Sequence, residues 1–334
     1  MVYKNMKINH ILDIPEKNIL IVGNRSYKNL GDELILLWTV KLLLQENKKI
    51  TIAAYNPKRL KTFFSQSIDT NNITFVTEIP KGIRSWISYI RQWKFRERKL
   101  WKKTNAVIIG WGEIITEENK HSYRYRLASL LPVLKKPRYL MWGIQIPKKI
   151  YNRFLFKKIL KRTKRIFARD METVDEIKAY GFDNVEFFMD TSYFAYDWKK
   201  RKHTKSDKKY IVINLNKNGE QFLPEIIEDV QHRYKKWYEI FYVPIAKGDK
   251  YHYQDILYAN KIQQWANIKD QRFTILDREE NFDQFIKKLA WASIVISSRL
   301  HLFLIASFLW LETKVYPYQK KILKMQETIK LLDI

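Results

Sequence analysis

The sequence predicts an α/β fold of two Rossmann-like domains facing each other across a cleft. Three observations carry that prediction. Short apolar, β-branched runs alternate with helix-patterned segments from end to end, as parallel sheets covered by helices require. The alternation stops once, at the polar, basic stretch 199–209 (KKRKHTKSDKK), and then restarts. The 334 residues suffice for two domains, and 46% hydrophobic with 15% aromatic content can build their cores. The expected division is 1–198, a linker at 199–209, and 210–334.

In the first domain, Asn18–Val22 (NILIV) leads through GNRSYKNLGDE into an apolar helix ending near Leu44. That loop has neither G-x-G-x-x-G nor G-K-[ST], so it is no nucleotide loop. Asp32 and Glu33 instead put two carboxylates at a helix start, where anions are stabilised. They suit sugar hydroxyls or general-base work; simple helix capping is the competing reading. Strands are expected at 50–54, 73–76, 106–109, 138–142, 165–168 and 185–188. The fourth strand runs into IIGWGE, whose Gly110 and Gly112 permit close backbone approach beside Glu113. Trp142-Gly143 repeats the idea. Arg169 and Asp170 stand at another strand end, before a helix at Met171–Tyr180, and a structural Arg–Asp pair is the plain alternative. Asp190 is one more polar residue at a strand end.

Two segments concentrate positive charge. The stretch 81–103 interleaves Arg and Lys with Trp86, Trp93 and Trp101, giving either an amphipathic helix packed on the sheet or an interfacial membrane helix. Packing is favoured. The stretch 148–165 is similar without tryptophan, so packing is favoured there too.

The second domain restarts with strands at 210–214, 240–243, 272–276, 294–296 and 314–316. Its most informative stretch is Ser293–Ser307, SIVISSRLHLFLIAS. A buried strand ends in two serines, an N-cap signal, and a helix follows. Arg299 and His301 sit at the junction, which in open α/β sheets faces the ligand crevice. Helix N-terminal amides plus Arg299 would make an anion site. The plain reading is an arginine at a strand end, solvated or paired with a carboxylate. A last helix, 319–332, is expected to cross back onto the first domain.

Composition excludes some chemistry. There is no cysteine, hence no disulfide, thiolate metal site or Cys nucleophile. No metal-ligand spacing stands out, so no metal is predicted. The N-terminus lacks a signal-peptide core, and the apolar run 294–311 is interrupted by Arg299 and His301, which argues against a membrane span. The formal charge of +27 points to an anionic partner, although a Lys- and Asn-rich composition produces charge as well.

Taken in order, GNRSYKNLGDELIL, VIIGWGEII, YLMWGIQIP, IFARDMETVDEIKAYG, MDTSYF, VISSRLHLFLIAS and VYPYQKKI resemble the polysaccharide pyruvyl transferase family over about residues 19–325. The most specific pieces are Asn29-x-Gly31-Asp32-Glu33, Arg169-Asp170 with Gly181, and Arg299-Leu300-His301. The resemblance implies a fold like that of GT-B glycosyltransferases. It also implies transfer of pyruvate from phosphoenolpyruvate onto sugar hydroxyls as a cyclic ketal, with phosphate released and no cofactor. By the resemblance, the donor side comprises Ser298, Arg299, His301, Lys217 and Lys321. His301, Arg299 and Asp32 are the catalytic candidates, with His301 as acid or phosphate ligand and Asp32 orienting or deprotonating the acceptor. Asn29, Asp32, Glu33, Gly112, Glu113, Arg169 and Asp190 fall on the acceptor side. Two features depart from the family: Gly110-Trp111-Gly112-Glu113 replaces a glycine run, and Lys217 stands where an arginine is common.

The expected partners are therefore phosphoenolpyruvate and a glycan or lipid-linked glycan precursor. The expected location is cytoplasmic, with peripheral contact at an anionic inner membrane face through 81–103. Two other functions compete: a GT-B glycosyltransferase using a nucleotide sugar, and a non-catalytic basic protein binding nucleic acid or anionic glycan. The last is disfavoured, because no nucleic-acid motif accompanies the scattered lysines.

Overall fold

A computed structural model describes residues 14–23, 29–78, 87, 103–110, 138–139, 142–144, 157, 160–161, 163–188, 209–246, 254–276, 282–318, 322–323 and 325–327. The chain divides into two units. The first comprises Lys7–Ser26 and Asp32–Ala195; the second comprises Met1–Met6, Tyr27–Gly31 and Tyr196–Ile334.

The first unit holds a five-stranded parallel sheet of β1 (Asn18–Val22), β2 (Lys49–Ala54), β3 (Ile73–Thr77), β4 (Ala106–Ile109) and β5 (Arg138–Tyr139), in the order β3-β2-β1-β4-β5. Its central strands β1 and β4 pair in register, Ile19 with Ala106 through Val22 with Ile109. Every residue of β4 is buried, which is why these strands read as unbroken apolar runs. Helix α1 (Leu30–Gln45) and helix α2 (Pro57–Ser65) follow β1 and β2. Asn56 caps α2 by accepting from the Arg59 amide, and Pro57 sits at its start. A separate three-stranded parallel sheet follows, β6 (Trp142–Ile144), β7 (Ile166–Ala168) and β8 (Val185–Phe187), with α3 (Met171–Ala179) between the last two. The single strand expected at 138–142 is thus two short strands in different sheets. An apolar run carries no mark of such a change.

The second unit repeats the five-stranded plan. Strands β9 (Tyr210–Asn214), β10 (Glu239–Tyr242), β11 (Phe273–Ile275), β12 (Ile294–Ser297) and β13 (Thr313–Val315) lie in the order β11-β10-β9-β12-β13, all parallel. Between them run α4 (Leu223–Lys235), α5 (Gln254–Trp265), α6 (Phe282–Ala290) and α7 (Leu300–Phe308). Helix α7 has no polar face: from Leu302 to Phe308 every residue is buried, so it is a core helix packed after β12. Burying each large apolar side chain stabilises by about 1.5–3 kcal/mol. The run 294–311 is therefore a strand and a helix, and among the described residues no helix is long and apolar enough to cross a membrane.

In both five-stranded sheets the chain reverses direction between the first and fourth strands of the unit, the topological switch point at which open α/β sheets bind ligands. In the second unit that point lies between β9 and β12. The segment 81–103 lies almost wholly, and 148–165 mostly, outside the described residues, as does most of the expected last helix.

Candidate active site

The carboxyl ends of β9 and β12 are register partners, Asn214 opposite Ser297, and the Ser298 amide donates to the Asn214 carbonyl at 3.1 Å. Beyond these ends three loops are tied together by Asn216. Its amide donates to Ser298 Oγ at 3.2 Å, its Oδ1 accepts from the Gly219 amide at 3.0 Å, and its Nδ2 donates to the Tyr318 hydroxyl at 3.1 Å. Asn216 thereby caps the 3-10 turn Lys217–Phe222 and joins it to the loops after β12 and β13. Gly219 is required there: a Cβ would stand 2.9 Å from Ser298 Cβ.

Serine was expected to cap α7. The structure corrects this. Arg299 occupies the N-cap position without a side-chain cap, Ser297 Oγ accepts from the Arg299 amide at 2.9 Å, and Ser298 turns to Asn216. The first-turn amides of α7 therefore receive no capping side chain, an arrangement suited to an anion.

Arg299 is held by Asp255, in the first turn of α5. Its Nη2 donates to Asp255 Oδ1 at 2.7 Å. The Asp255 carboxylate is fully buried, and its Oδ2 accepts from the amides of Ile245 and Ala246, both at 3.1 Å, and from Asn214 Nδ2 at 3.3 Å. Burial works against the charged guanidinium, and the Asp255 carboxylate with the Tyr318 phenol outweighs it, so the Arg299 pKa lies above its ordinary value. Arg299 Nε is buried with no partner among the described residues. Because Asp255 takes a single nitrogen and is itself satisfied by backbone amides, part of the guanidinium remains for a second anion. Below this pair Tyr242 is fully buried and donates to the Leu215 carbonyl at 2.6 Å. Its pKa is pushed well above the ordinary value, by burial and then by the Asp255 charge.

His301, in the first turn of α7, is half-buried. Its ring lies against Gly31, where an added Cβ would stand 2.0 Å from both Cγ and Nδ1. The segment holding Gly31 is attached to the second unit by an antiparallel bridge between Asn29 and Ala246, and by the Leu30 amide donating to the Ile245 carbonyl at 3.2 Å. Asn29 Oδ1 also accepts from the Gly31 amide at 3.1 Å. Thus Ala246, Asp255, Arg299, His301, Asn29 and Gly31 form one connected cluster in the second unit.

The other predicted residues are placed as follows. Lys217 is exposed and opens the 3-10 turn just past β9. Asp32 is half-buried in the first turn of α1. Glu33, beside it, is fully buried and accepts from Arg59 Nη1 at 2.6 Å. Arg169 is buried at the end of β7, next to Asp170, which caps α3 by accepting from the Thr173 amide at 2.8 Å. Gly112, Glu113, Asp190 and Lys321 lie outside the described residues. Among the described residues no cluster of three or more acidic or histidine side chains could hold a metal. Asp255, Asn214, Asn216 and Tyr318 were not singled out from sequence. Only a lone acid ahead of an apolar-periodic helix marks Asp255, and that pattern is shared by many capping residues.

A family model described as polysaccharide pyruvyl transferase matches residues 29–308. The chain belongs to this family. The match begins at Asn29 and includes Arg299 and His301. Against curated proteins this pyruvyl transferase family member has no significant sequence match. Its fold is similar to UDP-GlcNAc 2-epimerase from Neisseria meningitidis bound to UDP-GlcNAc (TM-score 0.56, 13% identity, covering 92% of this chain and 85% of that one). It is similar also to a glycosyltransferase from Rickettsia africae (TM-score 0.53, 13% identity, 90% and 79% covered). A third similar structure is the Methanocaldococcus jannaschii UDP-GlcNAc 2-epimerase with UDP-GlcNAc and UDP (TM-score 0.53, 11% identity, 89% and 83% covered). The fold class is thus two Rossmann-like units of GT-B type.

Proposed function

We propose that this transferase moves the pyruvyl group of phosphoenolpyruvate onto two hydroxyls of a glycan or lipid-linked glycan precursor, forming a cyclic ketal. The observation that carries the reading is Arg299, anchored by a buried Asp255 at the uncapped N-terminus of α7 two positions from His301. In this reading Arg299 and the α7 amides hold the donor's phosphate and carboxylate. His301 delivers the proton to C3, which makes C2 an oxocarbenium-like electrophile. One acceptor hydroxyl adds at C2, the C2–O bond to phosphate breaks, and the second hydroxyl closes the ring. The two hydroxyls lose two protons; C3 keeps one and the released phosphate takes the other. Lys217 adds a point charge where relatives carry a bidentate arginine. Asp32 is assigned to the acceptor hydroxyls from the family resemblance.

The test is calorimetric titration of phosphoenolpyruvate into wild type and Arg299→Ala, followed by a screen of acceptor glycans for phosphate release and a new ketal methyl signal. Binding lost in the variant supports the reading. Binding of a UDP-sugar with none of phosphoenolpyruvate would replace it with nucleotide-sugar transfer, which the same fold can serve.

A further inference from the structure

Among the described residues the second unit exposes four tryptophans, and all four occupy equivalent places. Trp237, Trp265, Trp291 and Trp310 are 79%, 54%, 45% and 68% exposed. They stand at the ends of α4, α5, α6 and α7, Trp265 as the last helical residue and the others in the turns that lead into β10, β12 and β13. Because all five strands are parallel, these turns share one edge of the sheet, the amino edge of the strands. In sheet order the row reads Trp265, Trp237, Trp291, Trp310. Arg299 and His301 lie past the carboxyl end of β12, at the opposite edge.

Two of these tryptophans sit where the backbone disfavours them. Trp237 and Trp310 have φ of +64° and +56°, just past their helices. Their amides donate to Tyr234 and Ser307, and the following amides to Arg233 and Ala306, the hydrogen bonding of a Schellman cap. Glycine or asparagine normally fills that position, and this chain uses Asn47, Gly181 and Asn267 elsewhere. A bulky, solvent-exposed ring there is not explained by helix termination or by core packing.

The charge around the row is one-sided. Lys209, Lys235, Lys236, Lys269, Lys287 and Lys288 are exposed in the same turns or the last helical turns before them. Among the described residues the acids in these turns are Asp270, which Arg272 binds at 2.8 Å, half-buried Glu239, and Glu312. Arg272 also stacks 4.8 Å from the Trp237 ring centroid. Tryptophans with one apolar and one polar edge, ringed by lysines, match the interface of an anionic bilayer. Lysine is depleted from protein–protein interfaces, which disfavours a protein occupant.

We propose that this edge of the second unit is a peripheral docking surface for an anionic lipid bilayer, with the four tryptophans entering the headgroup layer. None of its residues belongs to the segment 81–103, and the surface is independent of the proposed chemistry.

The experiment uses the full chain with phosphatidylcholine vesicles, with or without phosphatidylglycerol, comparing wild type with the double variant Trp237→Gly, Trp310→Gly. Wild type should co-sediment with the phosphatidylglycerol vesicles, be released by salt, and have its tryptophan emission quenched by brominated lipid. The double variant should bind about tenfold or more weakly. Its melting temperature should rise by a few degrees, because glycine relieves the left-handed positions. That rise separates lost docking from lost folding. Absence of wild-type binding, equal binding to neutral vesicles, or undiminished binding of the double variant would overturn the proposal. So would tryptophan-dependent self-association without lipid, which would make the occupant a second copy of the chain.

Discussion

Arg299 Nη2 lies 2.7 Å from Asp255 Oδ1, and that carboxylate is wholly buried while the guanidinium keeps 17% of its side-chain surface exposed. The arginine past the carboxyl end of β12 is thus anchored by an acid on another helix. Removing the acid leaves the cation uncompensated, and breaking such a pair costs about 3–5 kcal/mol. Asp255→Ala should lower the melting temperature strongly. Asp255→Asn, which can still receive the backbone amides, should fold better and bind phosphoenolpyruvate more weakly than wild type. Thermal unfolding and calorimetry check both.

Gly31 makes room for the His301 ring. Gly31→Ala would drive a methyl to within 2.0 Å of Cγ and Nδ1, so the imidazole must move. The expected result is a loss of at least about a hundredfold in kcat, within the range general acid–base catalysis supplies. Phosphoenolpyruvate affinity should suffer less, since Arg299 remains in place. Steady-state kinetics on the pyruvyl acceptor identified by screening would show the split.

Asn216 bridges three loops through its amide, Oδ1 and Nδ2. Asn216→Ala removes a cap and a tie to Tyr318 and should cost about 1–2 kcal/mol. Denaturant unfolding measures that loss. Donor binding should weaken as well, because the loops flanking Arg299 lose their common anchor.

Tyr242 gives a pH-dependent signature. Its folded pKa is raised well above the ordinary 10.0, by burial first and the Asp255 charge second. The neutral phenol is favoured in the folded state, so its contribution is fully present below pH 10 and falls as pH rises above that value, by up to about 1.4 kcal/mol per pH unit. Tyr242→Phe leaves the Leu215 carbonyl without its 2.6 Å donor and should be about 1 kcal/mol less stable than wild type at neutral pH. Above pH 10 the gap should narrow, since phenylalanine cannot ionise. Urea unfolding at pH 7 to 11 checks this.

Much of the fold was legible because apolar runs at regular spacing record burial directly. Asn18–Val22, Ala106–Ile109 and Tyr210–Asn214 are strands with the predicted ends. The exception at 138–142 is physical: an apolar run carries no mark of where one strand ends and another begins, so β5 and β6, in different sheets, read as one. Arg299 and His301 were legible for a related reason, since a cation and an imidazole inside an apolar run stand out from packing residues. Helix capping was misread because Ser297 and Ser298 both have serine's capping chemistry, and only the neighbouring Asn216 loop decides where one of them turns.

By itself the sequence determined the two Rossmann-like units, the strand–helix junction at Ser297–Leu300 and the family. These rest on local periodicity and on residues adjacent in the chain. The tertiary structure alone decided that Asp255, 44 residues from Arg299, is its anchor, and that Gly31 lies against a histidine 270 positions away. It also decided that four scattered tryptophans share one edge. The first and last are set by the parallel sheet β11-β10-β9-β12-β13, which brings distant loops together at its ends, and the second by the bridge that ties Asn29 to Ala246 past β10. Residues joined only by that order carry no common spacing or motif along the chain.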